Sequence, residues 1–201
     1  MEPFVRVSGP AAALPAANVD TDVIMPKQFL KRIDRAGLGQ GLFHGLRFDD
    51  AGRARPEFVL NRAETRQAKV LITGSNFGCG SSREHAVWGL MQYGIRVLIG
   101  TSFAGIFFDN CARNGLLALV LPETQVAALS EAVLARPGLE VAVDLGAQTI
   151  AADGAVIGFD IPAAQKEPLF RGLDAIDLTL EHRNEIRAFQ DRHYSDNPWL
   201  W

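Results

Sequence analysis

Cysteine is scarce in this 201-residue chain, with only Cys79 and Cys111 present. Two thiols do not make a disulfide framework, and they fall short of the three or four that hold an iron–sulfur cluster. Any such cluster would have to come from outside the chain. Basic runs are also missing, and the net charge of −3 is spread along the sequence. Neither a nucleic-acid footprint nor a membrane-surface patch is therefore expected. No apolar stretch is long enough to cross a bilayer, and the first residues lack the basic start and apolar core of a signal peptide. The expectation is a soluble, cytoplasmic protein.

What is present is enough for a core: 48% of residues are hydrophobic and 21% charged. Such a composition disfavours disorder and suits one domain over 1–201. Its regular heart lies in the middle of the chain. Lys69–Thr73, Ile95–Ile99 and Leu116–Leu121 read as buried strands. Between them the pattern predicts a helix from about Ser82 to Tyr93 stopped by Gly94. A second runs from a Ser102 cap to Asn114, stopped by Gly115. A third follows over Glu123–Ala135. This β-α-β-α-β-α order with short connections requires parallel strands. After Pro137, short runs separated by turn glycines predict antiparallel strands. An amphipathic helix is expected over about 173–193, and the final SDNPWLW carries two tryptophans suited to packing on a partner. Before this core of about 60–160, the PAAALPAAN stretch reads as alanine-rich, and Phe4–Val7 as a short strand. Residues 18–56 read as a long loop region with short helical pieces.

Gly74–Ala86, GSNFGCGSSREHA, is the sharpest feature. It joins a parallel strand to a helix N-terminus, where open α/β sheets bind ligands. Gly78 and Gly80 permit positive φ and close backbone approach. Arg83 can grip a carboxylate bidentately, and Ser81 and Ser82 place hydroxyls beside it. A structural reading competes at this point. Ser81 and Glu84 match the S-x-x-E capping box, which would make Ser81 a cap and Arg83 a solvated side chain. The loop is neither a Walker loop nor a dinucleotide fingerprint.

Taken with NVDTDVIMP at Asn18–Pro26, EFVLN at Glu57–Asn61, SFAGIFFDNCARNGLLAL at Ser102–Leu119 and the late LDAIDLTLEHRNEI, this loop resembles the swivelling domain of the aconitase superfamily. Within that superfamily the chain is most similar to the small-subunit family of isopropylmalate dehydratases, over nearly its whole length. The resemblance implies a β/β/α swivelling fold with a central parallel sheet, flanking helices, and additional C-terminal strands and helix. It implies a hydro-lyase that interconverts 2- and 3-isopropylmalate through isopropylmaleate in leucine synthesis, active only with a large subunit. A [4Fe–4S] cluster on that large subunit would supply a Lewis-acid iron, with no metal bound by this chain.

By the family pattern Ser81 is the base, and Ser82 and Arg83 hold a substrate carboxylate, with Ser82 nearer the true helix cap. Asp22 lies at the active site, where it would orient a partner histidine; an Asx-type turn before Pro26 is the competing reading. The Lys27–Lys31 segment resembles a substrate-recognition loop, with Phe29 and Leu30 as walls for the isopropyl group, although Lys27, Lys31 and Arg32 add charge there. Cys79 is not a cluster ligand, and Cys111 is expected in the core. His85 is a packing or hydrogen-bonding residue before it is an acid. Phe103, Asn110 and Asn114 are expected to fix the helix beneath the loop. Two alternatives stand beside this reading: the small subunit of another aconitase-type hydro-lyase (homoaconitase, or a dimethylmalate or methylcitrate type), and a non-catalytic anion-binding module.

Overall fold

The computed structural model describes residues 1–30 and 36–200. Lys31 and Arg32 lie outside them. The chain opens with β1 (Arg6–Leu14) and continues through three short helical turns, α1 (Thr21–Ile24), α2 (Leu38–Gly41) and α3 (His44–Arg47). The alternating unit follows: β2 (Val70–Thr73), α4 (His85–Tyr93), β3 (Val97–Gly100), α5 (Gly105–Asn114), β4 (Leu117–Val120) and α6 (Glu123–Ala135). A meander of β5 (Glu140–Asp144), β6 (Thr149–Ala152) and β7 (Ala155–Gly158) leads to α7 (Ala163–Arg171), α8 (Ala175–Leu180) and α9 (Arg183–Asp196).

The seven strands among the described residues form one sheet in the order β4-β3-β2-β1-β5-β6-β7. The pairs among β1 to β4 are parallel, while β1 with β5, β5 with β6 and β6 with β7 are antiparallel. Helical crossovers on one half and tight hairpins on the other explain the split. The β6–β7 turn is Asp153-Gly154 with both residues at positive φ, the geometry a two-residue hairpin loop favours.

The parallel strands are buried on both faces, and the pleat sorts their side chains. Ala11, Ala13, Val70, Ile72, Val97 and Ile99 face a core closed by Val126, Leu129 and Val133 of α6. Ala12, Leu71 and Leu98 face a second core beneath α4 and α5, with Ala86, Leu90, Phe107 and Cys111. Gly94 and Gly115, both left-handed, end α4 and α5 as their sequence positions predict.

Three expectations change. β1 is nine residues long and runs through the alanines rather than stopping at Val7. Neither predicted serine caps a helix: α4 begins at His85 after Glu84, and α5 at Gly105 after Ala104, both without a side-chain cap. Ser102 instead accepts a hydrogen bond from the Asn76 N–H at 2.8 Å, so its hydroxyl braces the glycine loop. The helix expected over about 173–193 is split into α8 and α9, and α7 precedes it. α7 carries Pro168 and buries Leu169 in the core, while every residue of α9 but Tyr194 is exposed.

The glycine-rich segment around α2 and α3 is held by Arg47. Its guanidinium donates to the Gly39 and Leu42 carbonyls and to Asn61 Oδ1, and lies 4.9 Å from the centre of the Tyr93 ring. Tyr93 in turn donates to the Leu60 carbonyl at 2.6 Å.

At the end of β2, a Cβ on Gly74 would overlap the backbone carbonyls of Pro15 and Ala16. This main chain cannot yield as a flexible side chain could. Gly74→Ala should therefore cost about 1–3 kcal/mol, the usual penalty of overpacking. A urea titration should show a lower midpoint with an unchanged slope.

Candidate functional site

The site is assembled where the chain leaving β1 lies down beside the chain leaving β2. Past the last strand residues, the ladder continues as irregular pairing. Asn18 N–H donates to the Ser75 carbonyl, Gly78 N–H to Val19, and Thr21 N–H to Cys79, at 2.8–2.9 Å. Asp20 and Cys79 form an isolated parallel bridge. Asn76 adds a side-chain hydrogen bond to Asn18 at 2.8 Å. Two loops that look independent in sequence are thus one surface.

Gly78 makes the turn possible. Its φ is +79°, and a Cβ would collide with the Phe107 ring. Phe107, Phe103 and Phe77 stack and edge-pack beneath the loop, with ring centres 5.6–6.5 Å apart. Gly80, at φ +92°, then turns the chain outward.

Thr21 fixes what comes next. Its buried hydroxyl accepts from the Ser81 N–H and donates to the Ser81 carbonyl, both at 3.0 Å. Both backbone polar groups of Ser81 are held by one side chain, and the Arg83 N–H also donates to the Ser81 carbonyl at 2.7 Å. The Ser81 and Ser82 side chains are exposed, and among the described residues no group hydrogen-bonds to either hydroxyl. The capping box is not made. Glu84 instead accepts from Asn114 Nδ2 at 2.6 Å, and Asn114 Oδ1 accepts from Trp88 Nε1 at 2.9 Å. That clamp ties the start of α4 to the end of α5, the role expected of Asn114. His85 packs on Trp88 with ring centres 4.7 Å apart.

In the DTD segment the two aspartates divide their work. Asp20 caps α1 by accepting from the Val23 N–H at 2.7 Å. Asp22 is left free to form an ion pair with Arg83, and Lys27 Nζ lies 4.0 Å from its other oxygen. Ser81, Arg83 and Asp22 are thereby brought together, with Ser82 between the first two. Phe29 and Leu30 follow Lys27 at the end of a short 3₁₀ turn. They are half-buried against the core beneath α4, and the Phe29 ring lies 5.1 Å from His44. Thr21, the residue that holds Ser81, has no distinguishing sequence signal beyond its place between two aspartates.

Cys111 is sealed in the core, and burial pushes its thiol well above the ordinary value. Cys79 is half-buried between the two turn glycines. Among the described residues no group of three or more histidine, cysteine or acidic side chains could hold a metal ion, and no helix is long and apolar enough to cross a membrane.

Residues 1–124 match the family of the aconitase C-terminal domain, and residues 127–163 a family described as LeuD_N. Residues 176–200 match the C-terminal domain of the 3-isopropylmalate dehydratase small subunit. A 3-isopropylmalate dehydratase small subunit from Phenylobacterium zucineum is 52% identical over 202 residues, covering 100% of this chain and 98% of the relative. Its counterpart from Parvibaculum lavamentivorans is 48% identical, with 100% of both chains covered. The solved structure of a 3-isopropylmalate dehydratase (leuD) from Methanocaldococcus jannaschii has a TM-score of 0.65 at 25% identity, covering 92% of this chain and 99% of that one.

Thr21→Val should lose about 1–3 kcal/mol, because it leaves the Ser81 N–H and carbonyl without their partner. Thr21→Ser should retain most of that stability in the same denaturant titration. Alkylation at pH 8 should modify Cys79 first and reach Cys111 only as the chain unfolds, which mass spectrometry of timed samples checks.

Proposed function

This chain belongs to the 3-isopropylmalate dehydratase small-subunit family of leucine biosynthesis, and we propose that Ser81 is the proton-transferring base of its reaction. Members of the aconitase superfamily are hydro-lyases. In this reading 2-isopropylmalate loses water to give isopropylmaleate, which takes water back with the hydroxyl on the neighbouring carbon. The single observation that carries the assignment is the Ser81 residue itself, with its backbone clamped by Thr21, its hydroxyl uncommitted among the described residues, and the next residue of the DTD segment, Asp22, paired with Arg83.

A serine hydroxyl is a weak base in water. An adjacent positive charge lowers the cost of its alkoxide form, by the same logic that stabilises an oxyanion. The alkoxide takes the proton from the C–H carbon as the hydroxyl departs from the neighbouring carbon as water. On rehydration the hydroxyl bonds to the carbon that lost the proton, and the Ser81 hydroxyl delivers a proton to the carbon that lost the hydroxyl. Arg83 pairs with a substrate carboxylate, with Ser82 donating to the same group. Asp22 holds the Arg83 fork in place before substrate arrives and orients a side chain of the partner afterwards. Phe29 and Leu30 form the wall for the isopropyl group, whose burial contributes on the order of 2 kcal/mol.

The cluster this family's chemistry requires does not fit the donors of this chain. One of the two thiols is locked in the core and the other stands alone beside Asp20. We assign the [4Fe–4S] cluster to the large subunit, route no step through it, and take activity to require both subunits. Residues 1–201 act as one swivelling unit in the cytoplasm, closing over the partner's site.

The test is reconstitution with the large subunit. Ser81→Ala should lower kcat by about 10²–10⁴-fold, the range of a positioned acid–base group, with the complex still forming on a sizing column. Near-original turnover would remove Ser81 from the role of base. Turnover of a tricarboxylate in preference to isopropylmalate would move the chain to another aconitase-type hydro-lyase.

A further inference from the structure

Arg83 lies between two fixed points. On one side, both backbone polar groups of Ser81 are bonded to Thr21. On the other, α4 begins at His85. Between them the main chain has little of its own to hold it. Among the described residues no group accepts from the N–H of Ser82 or Glu84, and the Arg83 N–H donates to the Ser81 carbonyl. Glu84 stands at the capping position of α4, yet its side chain makes no cap. Asp22 grips the Arg83 guanidinium, but an arriving carboxylate competes for that same group. The position of Arg83 with substrate bound therefore needs an anchor outside the loop.

The side-chain amide of Asn114 supplies one. Its Nδ2 donates to Glu84 Oε1 at 2.6 Å and to the Asn110 carbonyl at 2.8 Å, and its Oδ1 accepts from Trp88 Nε1 at 2.9 Å. An indole N–H can only donate, so Trp88 fixes which end of the amide is oxygen and turns the nitrogen to Glu84. Asn114 is the last residue of α5, which Gly115 closes in the left-handed conformation. Phe107 and Cys111 root that helix in the core, so the amide projects from a rigid element. Its bond to a carboxylate belongs to the stronger, charge-assisted kind.

We propose that Asn114 is a positioning residue for substrate binding: by anchoring Glu84 it sets where the adjacent Arg83 presents its guanidinium to the substrate carboxylate. This rests on the reading of Arg83 as the carboxylate clamp. Thr21 holds Ser81 from the β1 side, and Asn114 holds Glu84 from the α5 side, with no bond shared between the two anchors. Cutting the second leaves the first in place. Arg83 pairs with a carboxylate that is present in substrate and transition state alike, so its displacement weakens binding in both. Asn114 therefore governs KM, while the base keeps its position and kcat is preserved.

The test is steady-state kinetics of variants reconstituted with the large subunit. Asn114→Ala should raise KM about tenfold or more, with kcat within about threefold of the original. Glu84→Ala should raise KM to a similar extent and the double variant no further, because the two residues act through one bond. Asn114→Asp alone sets two carboxylates against each other and should bind no better than Asn114→Ala. Combined with Glu84→Gln it reverses the polarity of the bond, the Gln amide donating to the Asp carboxylate, and KM should return toward the original. Should Asn114→Ala not fold, Glu84→Ala and the exchanged pair carry the test. A chain that is merely destabilised loses active enzyme, which lowers kcat at unchanged KM. That result, additive effects on KM, or no recovery in the exchanged pair would overturn the proposal. Arg83→Ala separates the two readings. If it raises KM and Asn114→Ala does not, the role of Asn114 alone falls. If Arg83→Ala leaves KM unchanged, the carboxylate clamp falls and this proposal with it.

Discussion

The pairing of residues 18–21 with residues 75–81 is the constraint from which the rest of the site follows. β1 and β2 are adjacent and parallel, so the chains leaving them emerge side by side at the same end of the sheet. Instead of diverging, they stay hydrogen-bonded as far as Thr21 and Ser81. Each contact is a main-chain or short polar contact, and such contacts tolerate little displacement. The reciprocal bonding of Thr21 to both polar groups of Ser81 is the last rung of this extension. Without it, a loop carrying several glycines would sample many conformations, and the serine hydroxyl would have no defined position.

The sheet beneath supplies the rigidity that this splice needs. β1 sits between the parallel and antiparallel halves, with α6 crossing one face and the α4–α5 layer on the other. A strand flanked on both sides by close-packed layers has room for small side chains, which accounts for alanine at positions 11, 12 and 13. Larger strand neighbours, Val70 to Ile72 and Val97 to Ile99, fill the remaining volume. The phenylalanines under Gly78 complete the support, so the turn rests on an aromatic floor and not on solvent.

Much of this was legible in the amino-acid order. Runs such as Val70–Thr73 and Leu117–Val120, with glycines after α4 and α5, mark buried parallel strands and their helices because periodicity and stop signals agree. β1 was hidden. Alanine has weak strand preference and Pro10 reads as a breaker, so only the crowding of the fold explains that segment. α7 was hidden by Pro168 for the same reason. Ser81, Ser82 and Ser102 all satisfy local capping patterns, yet Ser102 braces Asn76, and the Ser81 and Ser82 hydroxyls cap nothing because α4 starts only at His85. At Ser102 a tertiary partner outcompeted the local bond that capping rules anticipate. The proximity of Ser81, Arg83 and Asp22 came from family likeness. The division of labour between Asp20 and Asp22 is visible only in three dimensions, because either carboxylate could cap α1.

The Asp22–Arg83 pair changes what an arriving anion encounters. Before any ligand is present the guanidinium already has a carboxylate, and Lys27 stands near that carboxylate's other oxygen. A dicarboxylic acid bound at Arg83, as we propose, would exchange one acidic partner for another and would not fill a bare cationic hole. The neutralised pair projects a weaker field into solution than an isolated cation would. Selection among small anions then falls to shape and contact at the moment of exchange, and bulk phosphate or chloride gains little by proximity alone.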